Sequence, residues 1–503
     1  MGNPGMSNPL IARLKAGDCI GCHWSILGSP SVVELMVDSG PDAMVFDLQH
    51  GLWTRPALEH AIGMVRDKTA PICRVADGSY FAIGSALDAG AVGVIVPMIE
   101  TAEQAQACVD AAKYPPEGRR STGGVRAIIN YKSYLPQANA NTLVAVMIET
   151  ARGVENAAAI AAVPGVDCVF IGPFDLSLSL GTFPDNGPKH ESAMQAILTA
   201  CRAAGTACGL FTPYATMAAD RRQQGFQWVV LANDQDLLQG PSKAAVRRFQ
   251  QGTGTDLVEG SVALVTGSNR GIGPEIVRAL LRGGAAKIYC GARDTATLTP
   301  LVAVAPDRLK AVQIDISNPV EISAAAEKCG DVTLLINNAG VNFNTPLFAI
   351  DGTDNARREM EVNYFGTLNM CRAFQPILKR NGGGAVVNML SILSLINLPL
   401  MGSLCASKAA LLSLTQALRA EAKAQGTHVM AVMPGAVDTD MTRGLEIPKL
   451  APRPAAEAVL YGLKTRAEEI FPGAMGAGVA FGLTNDYKAV EAEFAGFLPA
   501  QSL

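Results

Sequence analysis

Cysteine is scarce, with eleven residues in 503, an odd number scattered over the whole length. That pattern excludes the dense, even disulfide framework of a small secreted domain, and we read a reducing, cytoplasmic setting. Charge is sparse as well, at 17% of residues against roughly 25% in an average soluble protein. With 41 Lys and Arg against 45 Asp and Glu, no basic field exists to attract nucleic acid or anionic lipid, so neither is an expected partner. Residues 1–20 carry Arg13, Lys15 and Asp18 and lack the apolar core of an export signal. The longest uncharged stretch, 382–407, reaches the length of a membrane span, but Asn388, Asn397, Pro399 and Gly402 interrupt it. Those residues are costly in lipid, and the stretch reads as a buried strand and loop leading into a helix. Small molecules are the expected partners.

What is present is apolar mass and turns. The hydrophobic fraction is 49%, and Gly 50 with Pro 29 is too little for a low-complexity chain. At about 150 residues per domain the length allows two to four domains. Short apolar runs alternate with helical patterns from end to end, the form taken by repeated βα units. The first half holds eight such runs, at 19–22, 44–47, 72–75, 92–96, 143–148, 168–171, 207–211 and 228–231, the number that closes a (β/α)₈ barrel. Ser29 and Pro30 fit a helix start that Gly40 can end, and Thr101 with Gln104 fits a capping box. After a last helical pattern near Gln251, residues 252–257 read as a linker. Runs at 262–265, 288–290, 312–314, 334–336, 385–389 and 429–433 then read as buried parallel strands of an open doubly wound sheet. The expected organisation is a TIM barrel over 1–251 fused to a Rossmann-type domain over 258–503.

In an α/β barrel the working residues lie at the carboxyl ends of strands. Asp47 and His50 follow the second run, Arg74 ends the third, and Glu149 and Asp175 follow the fifth and sixth. Two carboxylates from different strands, with no Cys or His cluster beside them, suit a hard divalent cation such as Mg²⁺, Mn²⁺ or Co²⁺. Each residue alone could equally be a salt bridge or a helix cap. Cys19-Ile20-Gly21-Cys22-His23 spells a haem-attachment signature, but its place on the first barrel strand makes it a coincidence.

Phe46-Asp47-Leu48-Gln49-His50-Gly51, Ile95-Val96-Pro97-Met98, Tyr114-Pro115-Pro116 with Gly118-Arg119, Ile148-Glu149-Thr150 and Phe170-Ile171-Gly172-Pro173-Phe174-Asp175-Leu176 resemble the HpcH/HpaI family of class II pyruvate aldolases. The likeness covers about residues 7–250. It implies Glu149 and Asp175 as metal ligands, Arg74 on the enolate oxygen, and His50, oriented by Asp47 or Asp88, as the general base. It also implies that backbone around Gly172 and Pro173 lines the pyruvate carboxylate site. The implied reaction is reversible cleavage of a 4-hydroxy-2-oxoacid into pyruvate and an aldehyde, with decarboxylation of an oxaloacetate-like acid as the alternative.

In the second half, Thr266-Gly267-Ser268-Asn269-Arg270-Gly271-Ile272-Gly273 follows an apolar strand and opens a helix, the setting of a dinucleotide-binding loop. With Asp315 and Ile316, Asn337-Asn338-Ala339-Gly340, Asn363, Asn388 with Ser391, Ser407-Lys408 and Pro434-Gly435, it resembles the short-chain dehydrogenase/reductase family over about 258–470. The second strand runs into Arg293 without an acidic residue for a ribose 2′-hydroxyl. Arg270 and Arg293 could instead flank a 2′-phosphate, which favours NADP(H). The resemblance implies Asn363, Ser391 and Lys408 as catalytic residues. The family's tyrosine is missing: Leu404 stands four residues before Lys408 and has no transferable proton. We expect a half that binds NADP(H) and reduces carbonyls poorly, or serves as a non-catalytic binding and oligomerisation module. Relatives of both halves form homo-oligomers, and the same is expected here.

Overall fold

The computed structural model describes residues 9–125, 131–184, 187–250, 256–348 and 352–498. The chain divides into two compact units, Met1–Ala245 and Val246–Leu503, the boundary falling within the helix Asp234–Gln250. Most of the expected linker, residues 252–255, lies outside the described residues.

The first unit is a closed parallel barrel of β1 (Ile20–Ser25), β2 (Ala43–Asp47), β3 (Ala70–Arg74), β4 (Gly93–Val96), β5 (Leu143–Ile148), β6 (Cys168–Ile171), β7 (Ala207–Leu210) and β8 (Trp228–Asn233), in sequence order. Both faces of such strands are covered, so they read as continuous apolar runs rather than alternating ones. β2, β4, β5, β6 and β7 are buried at every position. The interior is packed by Trp24, Phe170 and Trp228 with smaller side chains, and Leu10, Ile11 and Leu14 of the helix Pro9–Ala16 join that cluster. Cys22 is fully buried within it, which disposes of the haem-like pentapeptide. The capping box at Thr101 and Gln104 forms, with the Thr101 side chain accepting the Gln104 backbone N–H at 3.3 Å. At the helix Pro30–Val37 the expected cap is corrected: Ser29 occupies the position but its hydroxyl makes no capping bond, and Pro30 alone presets the first turn.

The second unit is a seven-stranded parallel sheet of β9 (Val262–Thr266), β10 (Lys287–Ala292), β11 (Leu309–Gln313), β12 (Leu334–Asn337), β13 (Gly384–Met389), β14 (Thr427–Val432) and β15 (Glu469–Ile470), ordered β11-β10-β9-β12-β13-β14-β15. The order reverses between β9 and β12, and their carboxyl ends flank the crevice in which a doubly wound sheet binds its ligand. The third strand starts three residues earlier than expected, because exposed Lys310 and partly exposed Ala311 break its apolar run. β15 is only two residues long and partly exposed, too short for periodicity to reveal. The uncharged stretch 382–407 contains β13 and the start of the helix Gly402–Ala422. Among the described residues no helix is long and apolar enough to cross a membrane, and all eleven cysteines are unpaired.

Candidate functional sites

In the barrel, parallel strands bring every carboxyl end to one mouth. Asp47, the last residue of β2, is fully buried and is the hub of that mouth. Its carboxylate accepts Arg74 Nε at 2.9 Å and Arg74 Nη2, Trp24 Nε1 at 3.3 Å, and the backbone N–H of Gln49 and His50 at 3.0 and 3.1 Å. Burial opposes its charge, but Arg74 and these donors outweigh burial and hold the carboxyl below the usual range. Arg74 lies over the Trp24 ring, 5.1 Å from its centroid, and two of its five N–H groups are spent on Asp47. The other three are available to an anionic oxygen.

Glu149, directly after β5, is 2% exposed. Burial pushes its carboxyl up to about 7, with Asp175 adding to the rise, while the Met98 N–H and Arg74 oppose it. The Met98 N–H donates to Oε1 at 2.7 Å, and Met98 reaches that orientation with a left-handed backbone, φ 59°. Oε2 faces Gly172, where a Cβ would stand 2.5 Å away, so only glycine leaves room for the carboxylate. Asp175 sits in the first turn of the helix Pro173–Ser179. A buried carboxylate with a second carboxylate near enough to raise its pKa is an oxygen donor set short of positive charge, and it fits a hard divalent cation. Among the described residues no group of three or more His, Cys, Asp and Glu adds a third ligand, so waters or substrate would complete the shell.

Hydrogen bonds within the chain already occupy several of the expected groups. Asp47 binds the backbone of His50 while its oxygens are committed to Arg74, and Asp88 pairs with Arg120 at 2.8 Å. Both carboxylates are thus occupied elsewhere than on the exposed His50 imidazole, since guanidinium partners satisfy them more fully. Gly172 spends its N–H on Ile148 O at 3.2 Å and Pro173 has none, so neither offers a donor to a substrate carboxylate. The N–H groups of Phe174 and Asp175, in the first helical turn, are those without an intrahelical acceptor. Trp24 and Met98 were missed as site residues: a ring under a guanidinium and a left-handed residue leave no mark in a linear pattern.

In the second unit, the β9-to-helix turn carries Gly267 and Gly271 with φ 64° and 65°, and a Cβ at Gly273 would collide with Gly267 O. The loop is therefore closed tightly enough for a pyrophosphate to approach the backbone. Asn269 and Arg270 are exposed on it, and Ile272 precedes the helix Gly273–Arg282. Asn338 Nδ2 donates to Thr266 O at 3.0 Å and Gly267 O at 3.1 Å, tying the loop to the end of β12. Thr266 Oγ1 accepts the N–H groups of Asn338 and Ala339. Arg293 is exposed beyond β10, while the following Asp294 spends its carboxylate on the Ala296 N–H at 2.9 Å. Asp315 turns onto Ser317 N–H and Oγ at 2.9 and 2.7 Å, and neighbouring Ile316 is buried.

Asn363 lies in a π-helical turn, Met360–Gly366, and is fully buried. Its amide accepts Val341 N–H at 2.9 Å and donates to Ser407 Oγ at 2.9 Å. Lys408 Nζ donates to Met389 O at 2.7 Å, and burial lowers its pKa to about 8. A Cβ at Gly340 would lie 3.1 Å from Asn363 Oδ1 and 3.6 Å from Lys408 Nζ, so the three share one spot. Ser391 Oγ reaches Pro434 O at 3.5 Å, next to Gly435. Leu404 is 5% exposed and packs with Met401 and Cys405 against Leu393, Leu398, Leu400 and Leu445. The tyrosine position is filled by an apolar cluster.

The relatives of its two units make the chain a carbon–carbon lyase fused to an oxidoreductase-like unit. Residues 22–241 match the HpcH/HpaI aldolase/citrate lyase family model and residues 261–449 the short chain dehydrogenase model. The hydroxypyruvate/pyruvate aldolase of Delftia acidovorans is 35% identical over 256 residues, 50% of this chain and 95% of that one. The 4-hydroxy-2-oxovalerate aldolase of Rhodococcus jostii is 39% identical over 236 residues, 45% and 90% of the two chains. A short chain dehydrogenase from Burkholderia cenocepacia J2315, solved in complex with NADP, is 47% identical, covers 48% of this chain and 99% of its own, and has a TM-score of 0.45. The chain belongs to the HpcH/HpaI aldolase family through its first half and carries a short-chain dehydrogenase domain in its second.

Proposed function

We propose that the first unit is a divalent-metal-dependent aldolase that interconverts a 4-hydroxy-2-oxoacid with pyruvate and an aldehyde. The observation that carries this reading is Glu149, buried beside Asp175 with one oxygen on the Met98 N–H, at the mouth where Asp47 presents Arg74. Glu149 and Asp175 would hold the cation, whose chemistry is polarisation of the substrate ketone. Arg74 directs its free N–H groups at the oxygen that gains charge when a methyl proton leaves, and Asp47 keeps that guanidinium oriented before charge develops. His50, on the exposed loop whose backbone Asp47 anchors, takes the methyl proton and returns it to the aldol oxygen. The related aldolases of Delftia and Rhodococcus support pyruvate-type chemistry over decarboxylation alone.

The test needs no knowledge of the aldehyde. Exchange of pyruvate methyl protons with deuterated water, followed by NMR, should require Mg²⁺, Mn²⁺ or Co²⁺, stop with a chelator, and be lost in Glu149→Ala and His50→Ala. Exchange unaffected by chelation or by both substitutions would rule the mechanism out.

The second unit, in the same reading, binds NADP(H) with Arg270 and Arg293 at the 2′-phosphate and Lys408 at the nicotinamide ribose, and is a weak reductase because Leu404 donates no proton. Its apolar packing favours a binding role over an altered acid. Lys408 loses its proton near pH 8, and a neutral amine forms hydrogen bonds weaker by about 1 kcal/mol than an ammonium does. NADPH affinity should therefore fall roughly fivefold as pH rises through that value. Fluorescence titration of Lys408→Arg, which stays charged, should show a flat profile over the same interval.

A further inference from the structure

Asp175 has to be held against Glu149 from a short helix, Pro173–Ser179, of only seven residues. Such a helix has little stability of its own: Leu176 anchors its buried face in the core, and its ends take their position from what grips them. Both ends are gripped from one place. His190, 4% exposed, places Nε2 2.8 Å from the carbonyl oxygen of Pro173 at the start of the short helix. Since a carbonyl only accepts, Nε2 carries the proton. The residue before it, Lys189, donates from Nζ to Leu180 O at 2.7 Å, at the other end. The residue after it, Glu191, receives both guanidinium nitrogens of Arg221, at 2.6 and 2.7 Å, which fixes the clamp to the helix Ala215–Gln223. All three residues belong to the first turn of the helix Pro188–Ala204.

We infer that Lys189 and His190 form a two-point clamp that sets the position of Asp175 relative to Glu149, with His190 as a positioning residue for divalent-cation binding. The inference rests on the metal-binding reading above. Without the His190 bond, the Pro173 carbonyl loses a buried donor and the short helix can shift along the mouth while the barrel remains intact. Glu149, held separately by the Met98 N–H, stays in place. The separation of the two carboxylates is then no longer defined, and the cation loses affinity.

The experiment is direct Mn²⁺ binding to the full-length protein by electron paramagnetic resonance, with the metal alone and no substrate. His190→Leu should weaken Mn²⁺ binding by about 10–100-fold, the range seen when partners that orient metal ligands are removed. His190→Gln, which keeps a side-chain N–H donor, should recover to within about threefold of wild type, and Lys189→Met should fall between the two. Circular dichroism checks that each variant is folded. If His190→Leu fails to fold, Lys189→Met and His190→Gln decide the matter by the same ordering. Equal Mn²⁺ affinity in folded variants would overturn the clamp. Failure of wild type to bind Mn²⁺ would instead overturn the metal site itself, so the two ideas fail separately.

Discussion

Leu404→Tyr is expected to raise NADPH-dependent carbonyl reduction about 10²–10⁴-fold, the usual contribution of a positioned general acid. The remainder of the constellation is in place: Asn363 bonded to Ser407, Lys408 on Met389 O, and Ser391 beside Pro434. What is absent is the phenol four residues before Lys408, whose ammonium, while charged, would lower the pKa of a neighbouring tyrosine. The phenol has to displace part of the cluster of Met401, Cys405, Leu393 and Leu398, and overpacking of this kind costs about 1–3 kcal/mol. Thermal melting should therefore accompany the rate measurement over a panel of small aldehydes and ketones. NADPH affinity should change little, because Leu404 takes no part in the loop at Gly267–Gly273. High turnover by the wild type, or no gain in a variant that still binds NADPH, would show that the missing phenol is not what limits this unit.

The second large effect is expected at Asp47→Asn. The amide keeps the shape but loses the charge that orients Arg74, whose side chain is 12% exposed beside a carboxylate that is 1% exposed. Removing one member of a buried ion pair costs about 3–5 kcal/mol, and loss of an aimed charge-stabilising donor costs about 10²–10³-fold in rate. The aldolase kcat/KM should drop by that factor with only part of the loss in KM, because Arg74 is needed most as charge develops. The stability deficit has a pH signature. A carboxyl whose pKa is lower in the folded state stabilises at pH values above its unfolded pKa, about 3.9, and that contribution disappears as pH falls through the folded value. The gap between wild type and Asp47→Asn should be full at neutral pH and close in acid. A gap that is constant with pH would mean that Asp47 acts through packing alone.

The eight barrel strands were legible because a strand covered on both faces must be apolar along its length. Those runs placed Asp47, Arg74, Glu149 and Asp175 at or after the ends of particular strands, the resemblance gave them roles, and a parallel barrel has only one end at which they can meet. The same holds for the nucleotide loop, where Gly267, Gly271 and Gly273 are required by backbone angles and close approach. The absence of a tyrosine before Lys408 was visible at a single position, since leucine has no transferable proton.

Pairing among polar groups was not legible. That Asp47 serves Arg74 and the His50 backbone rather than the imidazole depends on which donors reach it first in three dimensions, and residues 27 positions apart in sequence carry no mark of their bond. Met98 is an ordinary apolar residue until its left-handed backbone aims an N–H at Glu149, and His190 is an ordinary helical histidine until its ring reaches Pro173. By itself the sequence determined the two folds, the chemical kinds of group at each mouth, and the missing acid, because these follow from hydrophobic periodicity and residue type. The tertiary structure alone decided which charges neutralise each other and what holds Asp175 in place, because those depend on distances of a few ångströms between segments remote in the chain.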